Sequence, residues 1–189
     1  MCIDSGDPNY VTEPNETDLD GNTRIIGRRI DIGAYEYQEI KILYVDGNAL
    51  GPTHDGSRWE TAYKYHQDAL ADANSSTKPI EIRVAQGIYK PAPFNNDRSI
   101  SFKLRDGVSL FGGFAGDETE RAGRDWLLNK TILSGDIGEE GNSDANSCHV
   151  VIGSDNAILD GFTFTGGNAD GANKNQFGGG MVNIHASPT

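Results

Sequence analysis

The chain has 189 residues, with 28 acidic against 16 basic side chains, a net charge of −12 and only 36% apolar residues. That length admits one domain, or one domain with a tail. The charge argues against nucleic acid as the main partner, because nothing here could neutralise a run of phosphates, and no apolar run nears the ~18 residues of a membrane span.

Residues 1–37 are dominated by turn formers. Asp18-Leu19-Asp20-Gly21-Asn22 places alternate acidic side chains before a glycine, as calcium loops do. A full loop of that kind needs a bidentate Glu six residues past the glycine, where Gly27 and Arg28 stand instead. Asp18, Asp20 and Asn22 are therefore calcium candidates, with an ordinary Asx-rich turn as the competing reading. Residues 38–45 alternate and then run apolar, which predicts a strand.

One amphipathic helix is predicted over 57–73. Ser57 would be its N-cap and Glu60 would complete a capping box, with Trp59, Ala62, Tyr63, His66, Leu70 and Ala73 forming one stripe. Strands are expected at Ile80–Val84, Ser99–Leu104, Val108–Phe114, Thr131–Ser134, His149–Ile152, Ala157–Thr165 and Gly180–His185. The segments between them are Gly-, Asp- and Asn-rich turns. Few are two-residue hairpin loops, and there is no second helix to build crossovers. Short strands joined by brief bends suit pairing between one winding of the chain and the next, with a sandwich of antiparallel hairpins as the competitor.

Phe111-Gly-Gly-Phe-Ala-Gly-Asp-Glu-Thr119, Leu133-Ser-Gly-Asp-Ile137, Leu159-Asp-Gly-Phe-Thr-Phe-Thr-Gly-Gly-Asn168 and Gly178-Gly-Gly-Met181 resemble the opening turns of bacterial proteins with the pectin-lyase-like fold. The resemblance covers about residues 42–189. It implies an all-β architecture, a right-handed parallel β-helix (a short solenoid) with an N-terminal amphipathic capping helix. Residues 1–37, with Asp31-Ile-Gly-Ala-Tyr-Glu-Tyr37, resemble the last turn of such a protein. The expected organisation is thus a tail, 1–37, from a preceding unit, followed by a cap and first turns, 38–189. On this reading the chain is cut from a larger secreted or cell-surface protein, and an uncapped end favours end-to-end homodimers.

Chemistry is sparser. Asp136, Glu139, Glu140 and Asp144 form an acidic loop that could hold a cation or supply the two carboxyl groups of a glycosidase, and a solvated loop is the plainer reading. Arg105 and Arg124 are the basic candidates for a polysaccharide lyase, with Arg98, Lys103 and Arg121 nearby; scattered salt bridges are the alternative. The short signatures of the family's inverting hydrolases do not occur. Cys148 and His149 are adjacent, so on a strand they face opposite ways and cannot pair as nucleophile and base. Cys2 and Cys148 allow at most one disulfide and are expected as free thiols. Trp126 is the best candidate to stack on a sugar ring. The resemblance implies carbohydrate binding, adhesion or scaffolding with a polysaccharide or surface glycan as partner, and a lyase or glycosidase is the alternative.

Overall fold

In the computed structural model, which describes residues 3–19, 21–25, 29–76, 79–92, 97–184 and 188, the first strand is β1, Lys41–Val45. The α-helix α1 (His66–Ser75) separates it from β2 (Ile80–Ala85). Then follow β3 (Gly87–Tyr89), β4 (Phe102–Lys103), β5 (Val108–Phe114), β6 (Thr131–Ser134), β7 (Val151–Ile152), β8 (Ile158–Asp160), β9 (Phe162–Thr165) and β10 (Met181–Val182). They pair as three small sheets, ordered β1-β2-β5-β8, β3-β6-β9 and β10-β7-β4. Every pairing between these strands is parallel, which disposes of the antiparallel sandwich.

Register stacks like residues on like. Leu43, Ile82, Leu110 and Leu159 align across the first sheet, and the first three are almost wholly buried. Phe102, Leu133 and Val151 from the other sheets complete the same core. Each such side chain removes enough apolar surface from water to contribute about 1.5–3 kcal/mol. The opposite face of the first sheet carries the row Tyr44, Arg83, Phe111 and Asp160. There Arg83 pairs with Glu81 at 2.7 Å and donates to the Thr119 carbonyl at 2.9 Å. Arg121 reaches Glu81 at 3.1 Å and lies over the Phe111 ring. The loop after β5 thus covers this face, and β2 is buried on both sides.

The expected all-β, right-handed parallel β-helix with an N-terminal amphipathic capping helix is corrected by this arrangement. The structure has three separate sheets of three or four strands with a helix between β1 and β2, a mixed α/β pattern. Strands β4, β7 and β10 have two residues each, and turns and bends take up much of the chain between the strands, so regular pairing stays local. The helix fails where the capping box was expected. Asp55 Oδ1 accepts from the Ser57 amide at 3.0 Å and from the Thr61 hydroxyl at 2.7 Å, a local turn that competes with helix. Tyr63 instead joins β1 through a parallel bridge to Val45. Trp59 leaves the predicted stripe and packs edge-on against Tyr44 at 4.7 Å.

The chain divides into two compact units, Met1–Ile40 and Lys41–Thr189. The first is held by buried carboxylates that accept backbone amides. Asp18 accepts from Asn22 and Glu36, and Asp31 from Asp4 and Tyr37. Cys2, Asp20, Gly27, Arg28, Phe94 and His185 lie outside the described residues. Among those described, no helix is long and apolar enough to cross a membrane.

Helix α1 opens on His66, only 1% exposed, among Phe102, Tyr89 and Phe162. Neither ring nitrogen has a hydrogen-bond partner, and burial pushes the imidazole pKa down to about 4. The unfolded chain, titrating near 6.5, binds the proton more readily. Stability from this site is therefore complete above pH ~6.5 and is lost as pH falls toward 4, by about 3 kcal/mol in all. Urea titrations of the wild type are expected to weaken across that window. A His66→Leu variant is expected to lose that part of the slope and, having no unpaired nitrogen, to match or exceed wild-type stability at pH 7.

Candidate functional site

The second sheet turns alternate side chains outward. Ile88, Ile132 and Thr163 align in register across β3, β6 and β9, while Tyr89 and Leu133 point into the core. The loop 136–146 rises from the end of β6 beside this face. Its neck is closed where the Ser147 amide donates to the Gly135 carbonyl at 2.8 Å. Asp136 follows Gly135 and Asn146 precedes Ser147, so the two side chains leave the neck from adjacent strands of backbone. Within the loop, amide-to-carbonyl bonds from Asn142 to Glu139, Ala145 to Asn142 and Asn146 to Ser143 hold its shape.

Between loop and sheet lies an open cavity of about 420 Å³. Ile88 and Ile132 supply apolar surface, and Lys90, Ser134, Asp136, Glu140, Asn146 and Thr165 bring polar atoms to it. Lys90 Nζ lies 3.4 Å from Asp136 Oδ2. The other carboxylate oxygen, Asp136 Oδ1, is buried and has no hydrogen-bond partner, and neither has Asn146 Oδ1. Asn146 itself is only 9% exposed. Unsatisfied buried acceptors cost roughly 1–3 kcal/mol each, and both of these belong to side chains that line the cavity.

The acidic candidates divide. Asp136 and Glu140 line the cavity. Glu139, within reach of the Asn142 amide at 3.5 Å, and Asp144, in a short 3-10 turn capped by Asn142, are exposed and not among its walls. The basic candidates stand elsewhere. Arg124 pairs with the Asp160 carboxylate, donates to the Gly112 carbonyl at 3.1 Å and lies over the rings of Phe111 and Trp126. Arg105 is half-buried in the turn before β5, with an unpartnered Nε. Arg98 ties the Asn146 and Asn168 carbonyls together and pairs with Asp170. Arg98 and Arg124 thus each tie separate stretches of backbone together.

Trp126 is 51% exposed, next to Leu127 and Leu128 at 72% and 75%, and forms no wall of the cavity. Asp18 is 7% exposed, and its carboxylate accepts from the Asn22 amide at 2.8 Å, the Asn22 side chain at 3.1 Å and the Glu36 amide at 3.0 Å. Its two oxygens thus accept hydrogen bonds from within the chain. Among the described residues no group of three or more His, Cys, Asp or Glu side chains could hold a metal ion. Cys148 is buried and free, and the His149 ring bonds to the Gly178 carbonyl at 3.1 Å.

The sequence reading missed Lys90, Ser134 and Thr165 as parts of one site. No strand was expected between Val84 and Ser99, where the structure has β3. Recognising it would have put Ile88 on an outer face with Lys90 after it. No protein-family model, curated protein or solved structure matches this chain.

Arg124→Ala is expected to lower stability by about 1–2 kcal/mol in urea unfolding, because it leaves the buried Gly112 carbonyl without this donor. Ligand binding in the cavity is expected to stay at the wild-type level.

Proposed function

We propose that Lys41–Thr189 is a carbohydrate-binding module whose ligand lies in the cavity between the second sheet and the loop 136–146. The observation that carries this reading is that Asp136 and Asn146, each with a side-chain oxygen lacking a partner, both line one open cavity. A saccharide offers hydroxyl donors at close spacing, which is what two acceptors lack. Its C–H face suits Ile88 and Ile132, and the Lys90 ammonium, Ser134 and Thr165 can bond ring and hydroxyl oxygens in turn. The cavity volume of about 420 Å³ falls within the ~300–1,000 Å³ typical of small-ligand sites.

Binding is favoured over turnover. Of the four carboxylates considered for acid–base work, only Asp136 and Glu140 reach the cavity, and Asp136 already answers to Lys90. The arginines proposed as a lyase base are engaged or remote from it. An adhesive or scaffolding role within a larger surface protein is compatible with such a module, because each uses binding without chemistry.

The test is a glycan array followed by calorimetry on the leading saccharide. Saturable binding is expected, with Asn146→Leu and Asp136→Leu each weakening it about tenfold or more, the effect of removing one well-placed hydrogen bond to a charged or buried group. Product analysis on the same saccharide is expected to find no new reducing or unsaturated ends. Absence of saturable binding to any glycan, or binding indifferent to both substitutions, would sink the reading.

A further inference from the structure

A second cavity adjoins the first. It has a volume of about 460 Å³, and Ile88 and Lys90 stand on the wall common to both. The lining changes character across that wall. On the far side stand Tyr65, Tyr89, Lys64 and the other flank of Ile88, with His66 and Gly47 closing the back. Among the described residues, no carboxylate, carboxamide or hydroxyl-bearing Ser or Thr side chain lines it.

Tyr89 is turned so that its hydroxyl donates to the Ala85 carbonyl at 3.1 Å and receives the Gly47 amide at 3.3 Å. Its polar tip is therefore satisfied inside the protein, and the ring is what the cavity meets. Lys90 directs its ammonium toward Asp136, at 3.4 Å, and so offers its methylenes to this side. Tyr65 is 61% exposed and Ile88 68% exposed. Two large apolar side chains thus stand open to solvent beside a concave apolar surface, which shares a wall with the polar cavity.

We propose that the ligand of the paired cavities is an aryl glycoside, with its sugar in the polar cavity and its aromatic aglycone over the Ile88 ridge against Tyr65. The sugar half of this inference rests on the carbohydrate reading above; the aryl half rests on the apolar cavity. A planar ring supplies apolar area for Ile88 and the Tyr89 ring and an edge or face for Tyr65, the arrangement in which aromatic pairs are favourable. The glycosidic oxygen is the atom that crosses the ridge, so the length of the ligand follows from the contiguity of the two cavities. A bare polysaccharide would place hydroxyls in the second cavity, against a lining that is mostly ring and methylene surface.

The experiment is calorimetric titration of the full chain with matched pairs, methyl and phenyl β-D-glucopyranoside and methyl and phenyl β-D-galactopyranoside. For at least one sugar the phenyl member is expected to bind about tenfold more tightly than the methyl member, from the apolar area its ring covers. Tyr65→Ala, at an exposed position that lines the second cavity and not the first, is expected to remove that advantage and to leave methyl glycoside binding unchanged. Asn146→Leu is expected to weaken both members of the pair together. Equal binding of phenyl and methyl glycosides would overturn the aryl assignment and leave the carbohydrate reading standing. A phenyl advantage that survives Tyr65→Ala would also overturn it. Phenyl glycoside binding indifferent to Asn146→Leu would reduce the site to an apolar cavity without a sugar half. Binding of no glycoside would overturn both readings.

Discussion

Where the chain passes from the first sheet to the second, two glycines lie one above the other with no room for a side chain on either. A Cβ on Gly112 would come within 2.6 Å of the Gly161 carbonyl oxygen, and one on Gly161 within 2.7 Å of the Gly112 oxygen. Gly161 also holds φ +82°, a backbone conformation that L side chains adopt at a cost of about 1–3 kcal/mol. The next bend repeats the arrangement, since a Cβ on Gly135 would sit 2.6 Å from the Gly166 oxygen. These contacts set the approach of successive backbones. The register of the Tyr44, Arg83, Phe111 and Asp160 row, and of Ile88, Ile132 and Thr163, depends on them.

The same constraint reaches the candidate site through one residue. Gly135 accepts the Ser147 amide and donates its own amide to the Thr165 carbonyl at 2.8 Å, so it joins the neck of the loop 136–146 to β9. With no side chain at that point, Asp136 and Asn146 are brought against the sheet face and their outer oxygens are buried without partners. The cost of those unpaired acceptors is local, and the surrounding hydrogen bonds within the loop sustain it. Function, on this account, is built where the fold leaves hydrogen bonding incomplete.

Much of the strand pattern was legible. Val108–Phe114 and Thr131–Ser134 were read with the bounds the structure has, because apolar and β-branched residues there are bounded by glycines. Ala157–Thr165 was read as one strand, whereas Gly161 divides it into β8 and β9; its positive φ depends on the neighbouring Gly112 carbonyl, which adjacent sequence does not reveal. The helix was placed too early because Ser57 and Glu60 mimic a capping box, while Asp55 captures the Ser57 and Thr61 donors instead. The fold class failed for a different reason. Sequence blocks suggested one continuous regular architecture, but the two-residue strands of the third sheet and the internal helix are set by packing. Of the site, the acidic loop was visible as composition. Which of its carboxylates faces a cavity was not, since that depends on β3 and β9, remote in sequence.

The most direct measurement is the urea unfolding free energy of Gly161→Ala beside Gly123→Ala. Gly123 has ordinary space, with the nearest atom 3.5 Å from a Cβ, so its substitution is expected to change stability by no more than about 0.5 kcal/mol. Gly161→Ala is expected to cost about 2–4 kcal/mol, from the left-handed backbone and the contact with the Gly112 carbonyl together. Equal stability of the two variants would show that the sheets do not depend on close backbone stacking at this bend, and would contradict the account at its base.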